Sequence, residues 1–390
     1  MKIKSQTLIL LAVFISIISQ APLFRESFGI STQNLMLPFW IVGLFWTLFQ
    51  NRTIYLGKSR MIYIQFFFIF IGIIFLEIFC EVSYYTAFTR TIILAFMMFF
   101  IGLQTKNMLY DDWFKKLAYV YVGASLFLAI DIYIKYFLGH NFNTISYVYR
   151  AKNSAGQILL TSIIFILFLL YDKNKIFFKI ILIFFFLFEI IIMRSRATML
   201  SFLFIPITFL KGPLVKFKYK IEFIFLIIVG LIYFYINQSS GNLLISNLLF
   251  NSYKKISLET LDVNAISSNR FDMIKDVPEK LLGKELYGLG DLFYVDNVFI
   301  NAIGNYGIII GGMVCLLVIS PLFYVEKYSK YFFKGIKKTC IQLITWIYVF
   351  NGFFEGWAPF GPGSKCFLLW FVLGMVLSMR EKVRVDYCEK

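Results

Sequence analysis

Long apolar runs separated by short polar stretches form the main pattern of this chain. About twelve runs approach the length of a transmembrane helix, which needs about 20 mostly apolar residues. They lack the alternation of apolar and polar positions typical of barrel strands, which are also only about 10 residues long. The pattern predicts an all-α polytopic integral membrane protein with helices near 6–24, 34–50, 61–80, 86–104, 117–138, 154–171, 176–193, 195–210, 219–237, 296–324, 340–356 and 363–379.

Composition and charge agree with this class. The 390 residues are 59% hydrophobic and only 15% charged, with a mean hydropathy of +0.76, which excludes an ordinary soluble domain. If the amino terminus is cytoplasmic, alternate loops hold most of the lysines and arginines, as short cytoplasmic loops do. Both termini are then cytoplasmic. The net charge of +16 reflects this asymmetry and attraction to anionic membrane lipid, so it requires no nucleic-acid partner.

The predicted spans divide the chain into three parts. Residues 1–237 hold transmembrane helices 1–9, residues 238–295 form one large extracytoplasmic (periplasmic) loop, and residues 296–390 hold helices 10–12 and a cytoplasmic tail. Within the loop, a capping-like start at Asn269 precedes apolar residues at helical spacing, and Gly283 closes the pattern. This predicts a short amphipathic helix on the outer membrane surface.

Several familiar chemistries have no residues to support them. The five cysteines show no paired spacing of a zinc site or a disulfide framework, and His140 is the only histidine. No glycine-rich phosphate loop is present. We therefore expect no bound metal and no cofactor.

Ionisable residues inside the predicted spans concentrate toward the outer face. Such residues are costly in lipid and tend to mark functional sites. Asp131 and Lys135, four residues apart, are expected to pair with each other, and Glu189 lies close enough in sequence to orient Arg194. The outward bias indicates a polar cavity that opens to the outer leaflet. The residues concerned are Glu77, Glu81, Asp131, Lys135, Glu189 and Glu355.

Three asparagines begin the tenth predicted span. Asn297, Asn301 and Asn305 recur every fourth residue and so share one helix face. They fit either of two roles: hydrogen bonds between helices, with Gly307 and Gly311 giving a close contact, or a polar wall for sugar hydroxyls. The preceding residue, Asp296, fits a helix N-cap or a catalytic carboxylate.

Two arginines occupy an outer loop, where the topology disfavours positive charge. Arg194 and Arg196 lie between the seventh and eighth spans. One interpretation is an interfacial anchor on lipid phosphates. The other is a pyrophosphate site, because the planar guanidinium binds phosphate oxygens in pairs and stays charged. Arg150 and Arg270 are further candidate phosphate contacts.

These features together resemble the O-antigen polymerase and ligase superfamily of membrane glycosyltransferases. The resemblance covers segments of residues 140–312. It rests, in order, on Arg150-Ala151-Lys152-Asn153-Ser154-Ala155-Gly156, Ser195-Arg196-Ala197-Thr198-Met199-Leu200, the outer loop with Arg270 and Gly288-x-Gly290, and Asn297 with Gly307. Ligases typically carry histidine eleven residues before this glycine, whereas this chain has Asp296 there. The departure favours a Wzy-type polymerase over a ligase.

The resemblance implies a metal-independent glycosyl transfer at the outer face of the bacterial inner membrane. A glycan on undecaprenyl pyrophosphate would be transferred to a lipid-linked repeat unit, with a flippase and a chain-length regulator as partners. We expect pyrophosphate binding by Arg194, Arg196, Arg270 and Arg150, catalysis by Asp296, Asp272 or Asp276, and sugar binding by Asn297, Asn301 and Asn305.

Three alternatives remain at this stage. An O-antigen ligase shares the same features, and a flippase for lipid-linked oligosaccharides would also need many helices and a cationic cavity. Against a flippase, the sequence shows neither repeated halves nor a matched pair of broken helices. A structural or assembly subunit is the third alternative.

Overall fold

The computed structural model describes residues 5–27, 32–50, 59–80, 83–105, 113–138, 151–170, 176–193, 195–211, 274–332, 336–361 and 367–378. Within these ranges the regular secondary structure is helical and no strand occurs. The prediction of an all-α protein is therefore confirmed for this part of the chain.

The helices follow the apolar runs in order. They are α1 (Ser5–Ile18), α2 (Pro22–Ser27), α3 (Thr32–Gln50), α4 (Arg60–Phe79), α5 (Ala87–Gln104), α6 (Trp113–Tyr136), α7 (Lys152–Phe168), α8 (Ile176–Ile192), α9 (Arg196–Phe202), α10 (Phe204–Lys211), α11 (Val277–Leu281), α12 (Val298–Phe332), α13 (Ile336–Asn351) and α14 (Phe367–Ser378), with a 3-10 turn at Gly290–Leu292.

Several of these helices have the character of membrane spans. Among the described residues, α4, α5, α6 and the Val298–Ser329 part of α12 are long and apolar enough to cross a bilayer. Shorter apolar helices include α7, α14 and most of α1 and α3. The predicted ninth span, 219–237, lies outside the described residues. The total of about twelve spans and the cytoplasmic termini stay predictions.

The tenth predicted span, 296–324, is not one continuous helix. Gly307 has φ 74° and ψ 179°, a conformation that favours glycine. The Cys315 thiol lies 3.5 Å from the carbonyl oxygen of Phe299, whereas sixteen residues of straight helix would separate them by about 24 Å. The expectation of a single helix here was wrong, because the chain reverses direction at Gly307.

The reversal divides α12 into a first arm, 298–306, and a longer second arm, 308–332. The arms pack closely, since a Cβ added to Gly311 would lie 2.5 Å from the carbonyl oxygen of Ala302. This is the close contact at Gly311 that the asparagine pattern allowed. The second arm alone still exceeds the about 20 residues that span a bilayer.

A preceding loop holds the tip of this hairpin. The Leu289 N–H donates to the Gly304 carbonyl, and the Ile308 N–H donates to the Glu285 carbonyl, both at 2.8 Å. These bonds replace the helical hydrogen bond that Gly304 and Ile308 would otherwise form with each other. The loop therefore fixes where the chain turns.

The pairing expected between Asp131 and Lys135 is not the one observed. The Asp131 carboxylate accepts from the Leu23 N–H at 2.8 Å, and Lys135 forms an ion pair with Glu26. Both side chains therefore tie α2 to α6. Their role is structural, as the spacing indicated, but their partners come from a different helix.

The loops predicted on the outer face meet at one end of the bundle. The Asp291 N–H donates to the Ser83 carbonyl at 3.1 Å, and the Tyr306 and Thr89 hydroxyls share a 2.8 Å hydrogen bond. These contacts bring the residues before α12 and its hairpin tip onto the start of α5. The predicted loop 238–295 is described only from residue 274, so the first part of its predicted amphipathic helix, from Asn269, lies outside the described residues. The described part contains α11 and Gly283, which has φ 75°.

Candidate functional site

Two irregular segments, 288–297 and 352–361, interrupt the helices at this end. They are bonded to α12 and to each other: the Val298 N–H donates to the Gly352 carbonyl at 2.8 Å, and a Cβ on Gly356 would lie 2.4 Å from the Val295 carbonyl oxygen. Loops held by a rigid scaffold often carry the binding and catalytic residues of a protein. These two connected segments are therefore the first candidate for a functional site.

The three asparagines hold these segments in place. Asn297 caps the first arm by accepting from the Phe299 and Ile300 N–H groups, and its amide donates to the Phe353 carbonyl at 3.3 Å. The structure thus assigns Asn297 the N-cap position that the sequence allowed for Asp296.

The next two amides of the row are fully engaged with backbone. Asn301 accepts from the Val295 N–H and donates to the Gly356 carbonyl at 2.9 Å, and Asn305 donates to the Phe293 carbonyl at 3.1 Å. Both side chains are buried. The hydrogen bonds therefore run to irregular segments and not, as the first interpretation had it, between helices; the sugar-binding role stays a prediction.

A second set of polar side chains joins α7, the start of α9 and the segment after α13. We call Asn153, Ser195, Thr198 and Glu355 the Asn153 cluster. The Ser195 hydroxyl lies 3.1 Å from the Asn153 carbonyl oxygen and 2.7 Å from the Thr198 hydroxyl, and the Asn153 amide donates to the Glu355 carboxylate. Asn153 therefore links two stretches of chain that are 202 residues apart.

Close backbone packing brings the cluster together. A Cβ added to Gly156, one turn into α7, would lie 2.6 Å from the Thr198 hydroxyl oxygen and 2.9 Å from the Ser195 hydroxyl oxygen. Only glycine lets α9 approach α7 this closely, as small residues do between membrane helices. Ser195 and Thr198 are buried as a result.

Of the predicted phosphate-binding residues, Arg196 is the one whose backbone the structure describes. Arg196 is the first residue of α9 and directly follows Ser195, so its backbone lies beside the Asn153 cluster. Its side chain is not among the described ones. Arg194, Arg150 and Arg270 lie outside the described residues, and so does Asp272.

The two described aspartates of the prediction are differently placed. Asp296 is half-buried in the first irregular segment and accepts from the Tyr294 hydroxyl at 2.8 Å. It precedes Asn297, which binds the backbone two residues before Glu355. Asp276 is exposed at the start of α11. The described contacts thus connect Asp296, rather than Asp276, to the segment that carries Glu355.

Sequence reasoning missed a row of polar side chains on α7 and α13 inside the bundle. The Asn351 amide donates to the Gln157 side-chain oxygen at 2.7 Å, and the Thr161 hydroxyl lies 3.5 Å from that of Tyr348. A signal was present in the sequence, because Asn153, Gln157 and Thr161 recur every fourth residue and share one face of α7.

Glu189 lies one helix away from this row of polar side chains. Its side chain is buried in α8, and neither carboxylate oxygen has a hydrogen-bond partner in the described part of the chain. A buried carboxylate of this kind is costly and marks functional regions of membrane proteins. Its predicted partner, Arg194, is outside the described residues, so the orienting role stays a prediction.

No protein-family model matches this chain, and no curated protein sequence matches it either. The candidate site therefore rests on its geometry and on the residues within it.

Proposed function

We propose that the chain is a surface-polysaccharide polymerase of the O-antigen type. It transfers a growing glycan from undecaprenyl pyrophosphate to a lipid-linked repeat unit at the outer face of the bacterial inner membrane. One observation carries the proposal. The start of α9 at Arg196, the Asn153 cluster and the irregular segment 288–297, which holds Asp296, meet at one end of an apolar helical bundle. The resemblance to O-antigen polymerases in residues 140–312 supplies the reaction.

The residues at this end suit such a transfer. A glycosyl pyrophosphate is already activated, so catalysis needs cations that hold the departing pyrophosphate and a weak base for the acceptor hydroxyl. Arginine fulfils the first need by charge-assisted hydrogen bonds. The carboxylates on the two irregular segments are our candidates for the second, and the amides and hydroxyls around them suit sugar hydroxyls.

A second candidate function has its own supporting observation. Helices interrupted within a bundle, such as α12 at Gly307, also form the substrate sites of transporters. This favours a flippase for lipid-linked oligosaccharides as the alternative. The ligase alternative uses the same donor as the polymerase but a different acceptor.

Deletion of the gene, followed by electrophoresis of the surface glycolipid, separates these functions. A polymerase predicts that the glycan ladder collapses to the anchor with one repeat unit. If every repeat unit disappears from the anchor, lipid-linked polymer on the outer face indicates a ligase, and single units trapped inside indicate a flippase. Either result contradicts the proposal.

Complementation with two arginine variants tests the site. Arg196→Ala should fail to restore the ladder at normal protein levels, with a loss on the order of 100-fold or more. Arg90→Ala is the matched control, because Arg90 is exposed in the first turn of α5 and its guanidinium stacks 5.2 Å from the Tyr85 ring. Full restoration by Arg196→Ala would show that the arginine is only an anchor.

A further inference from the structure

The described carboxylates at this end of the bundle have different partners. Glu77 accepts from the Tyr84 and Tyr85 N–H groups and from the Ser83 hydroxyl, so it holds the turn before α5. Glu355 instead contacts the side-chain amide of Asn153 within a cluster of hydroxyls. Of these two acids, Glu355 is the one whose surroundings resemble a binding site.

The backbone around Glu355 is anchored on both sides. The carbonyl of Gly352 accepts from the Val298 N–H, that of Phe353 from Asn297, and that of Gly356 from Asn301. A carboxylate held this way stays in one place while a substrate binds, which is what a catalytic group requires. The asparagine row therefore positions this segment even where it touches no sugar.

Asn153 is oriented from two directions. The Asn153 side-chain oxygen accepts from the Ser195 hydroxyl, so the side-chain nitrogen points to the Glu355 carboxylate. Both Asn153 and Glu355 are half-buried, which leaves part of each side chain accessible. Among the described residues, the ends of the elements that meet here carry Lys152 at the start of α7 and Arg196 at the start of α9, with Asp291 and Asp296 in the first irregular segment.

We propose that Glu355 is the general base for the acceptor hydroxyl and that Asn153 is its positioning residue. This rests on the proposed polymerase function. The Glu355 carboxylate takes the proton from the acceptor hydroxyl, whose oxygen forms a bond to the anomeric carbon of the donor sugar. The bond from that carbon to pyrophosphate breaks, and the lipid pyrophosphate leaves with the electron pair. The proton then passes from Glu355 to water.

The first test uses the full-length protein in vesicles supplied with a synthetic lipid-linked repeat unit. Glu355→Gln keeps an oxygen that accepts from Asn153 but removes the base, so kcat should fall by about 10²–10⁴-fold. Binding of the lipid-linked unit, measured separately, should stay within about threefold, which is a small difference in binding free energy. Glu279→Gln, on an exposed residue of α11, is the control and should match the wild type.

The second test separates kcat from KM for variants of Asn153 in the same assay. Asn153→Asp keeps an oxygen that accepts from the Ser195 hydroxyl but loses the amide that donates to Glu355, so it should lower kcat. Asn153→Ala should lower kcat more than it raises KM.

The outcomes distinguish a failure of this proposal from a failure of the polymerase function on which it rests. If the wild type makes no polymer from the lipid-linked unit, the polymerase proposal fails. If the wild type polymerises and Glu355→Gln keeps its rate, Glu355 is not the base. If the Asn153 variants keep the wild-type kcat, or change only KM, Asn153 does not position the base.

Discussion

Helices α4 and α7 are both apolar, yet their side chains have opposite surroundings in the molecule. α4 exposes large side chains such as Phe67 and Phe75 along one face, and its mean hydropathy is high. Nearly all residues of α7 after its first turn are buried, and among them are Gln157, Thr161 and Ser162. The polar side chains of α7 therefore lie where protein surrounds them. Burying a polar side chain costs free energy unless it forms a hydrogen bond or serves a function.

Hydropathy alone therefore does not show which of the two helices carries functional residues. The exposed face of α4 needs only apolar side chains of any shape, because lipid adapts to them. α7 needs particular groups, since its polar residues form hydrogen bonds to the start of α9, to α13 and to the segment that holds Glu355. Substitutions on the two helices should consequently have very different effects.

The largest effect is expected at the hairpin that joins the two regions. The second arm of α12 packs on α4 through Ile310 and Gly72, and the first arm holds the Glu355 segment. Gly307→Ala places a Cβ within 2.1 Å of the Leu286 carbonyl oxygen at a φ of 74°. We expect a loss of about 3 kcal/mol or more, measured as thermal unfolding in detergent.

The control for this prediction lies five residues further along the same helix. A Cβ on Gly312 would meet nothing within 4 Å, so Gly312→Ala should be neutral or slightly stabilising. Equal melting temperatures for the two variants would contradict the hairpin.

A glycine on each helix gives the next comparison. Gly156→Ala on α7 would press on Thr198 and Ser195, and we expect at least a tenfold loss of polymer with a stability loss of about 1–3 kcal/mol. Gly72→Ala on α4 would meet one side chain, with Cδ1 of Ile310 at 2.6 Å and its Cγ1 at 2.8 Å, so a change of the Ile310 rotamer should limit the cost to about 1 kcal/mol. Polymer yield and melting temperature measure both, and similar losses in the two variants would remove the contrast.

The buried amide pair allows a smaller but more specific test. Gln157→Leu leaves the Asn351 amide without its partner and should cost about 1–3 kcal/mol. Asn351→Leu should cost a similar amount, and the double variant should cost less than the sum of the two. Unfolding in detergent gives the coupling energy, and strictly additive losses would show that the pair does not interact.

The smallest effect is expected on the exposed face of α4. Phe67→Leu changes the shape of a side chain that is 60% exposed, and we expect a change within about 0.5 kcal/mol and normal polymer. A loss comparable to that of Gln157→Leu, measured in the same detergent, would mean that this face contacts a partner rather than lipid.

The apolar runs were enough to predict the helical class and most helix positions, because segment length and hydropathy are local properties. The reversal at Gly307 was missed for a local reason as well. The fourfold spacing of Asn297, Asn301 and Asn305 is the same in one long helix and in a short first arm. A glycine with positive φ has no signature of its own within a run of apolar residues.

The candidate site was only partly accessible from the sequence. Arg196, Asp296 and Glu355 stood out as charges in apolar surroundings, which is a signal that one position carries by itself. The contact between Asn153 and Glu355 was not accessible, because it depends on which helices are neighbours across 202 residues. In the sequence, Asn153 belongs to a segment that carries the resemblance. The fourfold spacing of Asn153, Gln157 and Thr161 indicates a polar face of α7 but does not indicate its partners.

The proposed function requires that lipid-linked substrate binds at the Asn153 cluster and not along the apolar surface. A lipid-linked repeat unit carrying a diazirine on its sugar would test it by photocrosslinking to the reconstituted protein, with the labelled peptides mapped by mass spectrometry. We expect labels on peptides that contain Asn153, Ser195 or Glu355, and we expect these labels to disappear when an unlabelled repeat unit competes. Competable labels confined to α4, with none on those three peptides, would contradict it.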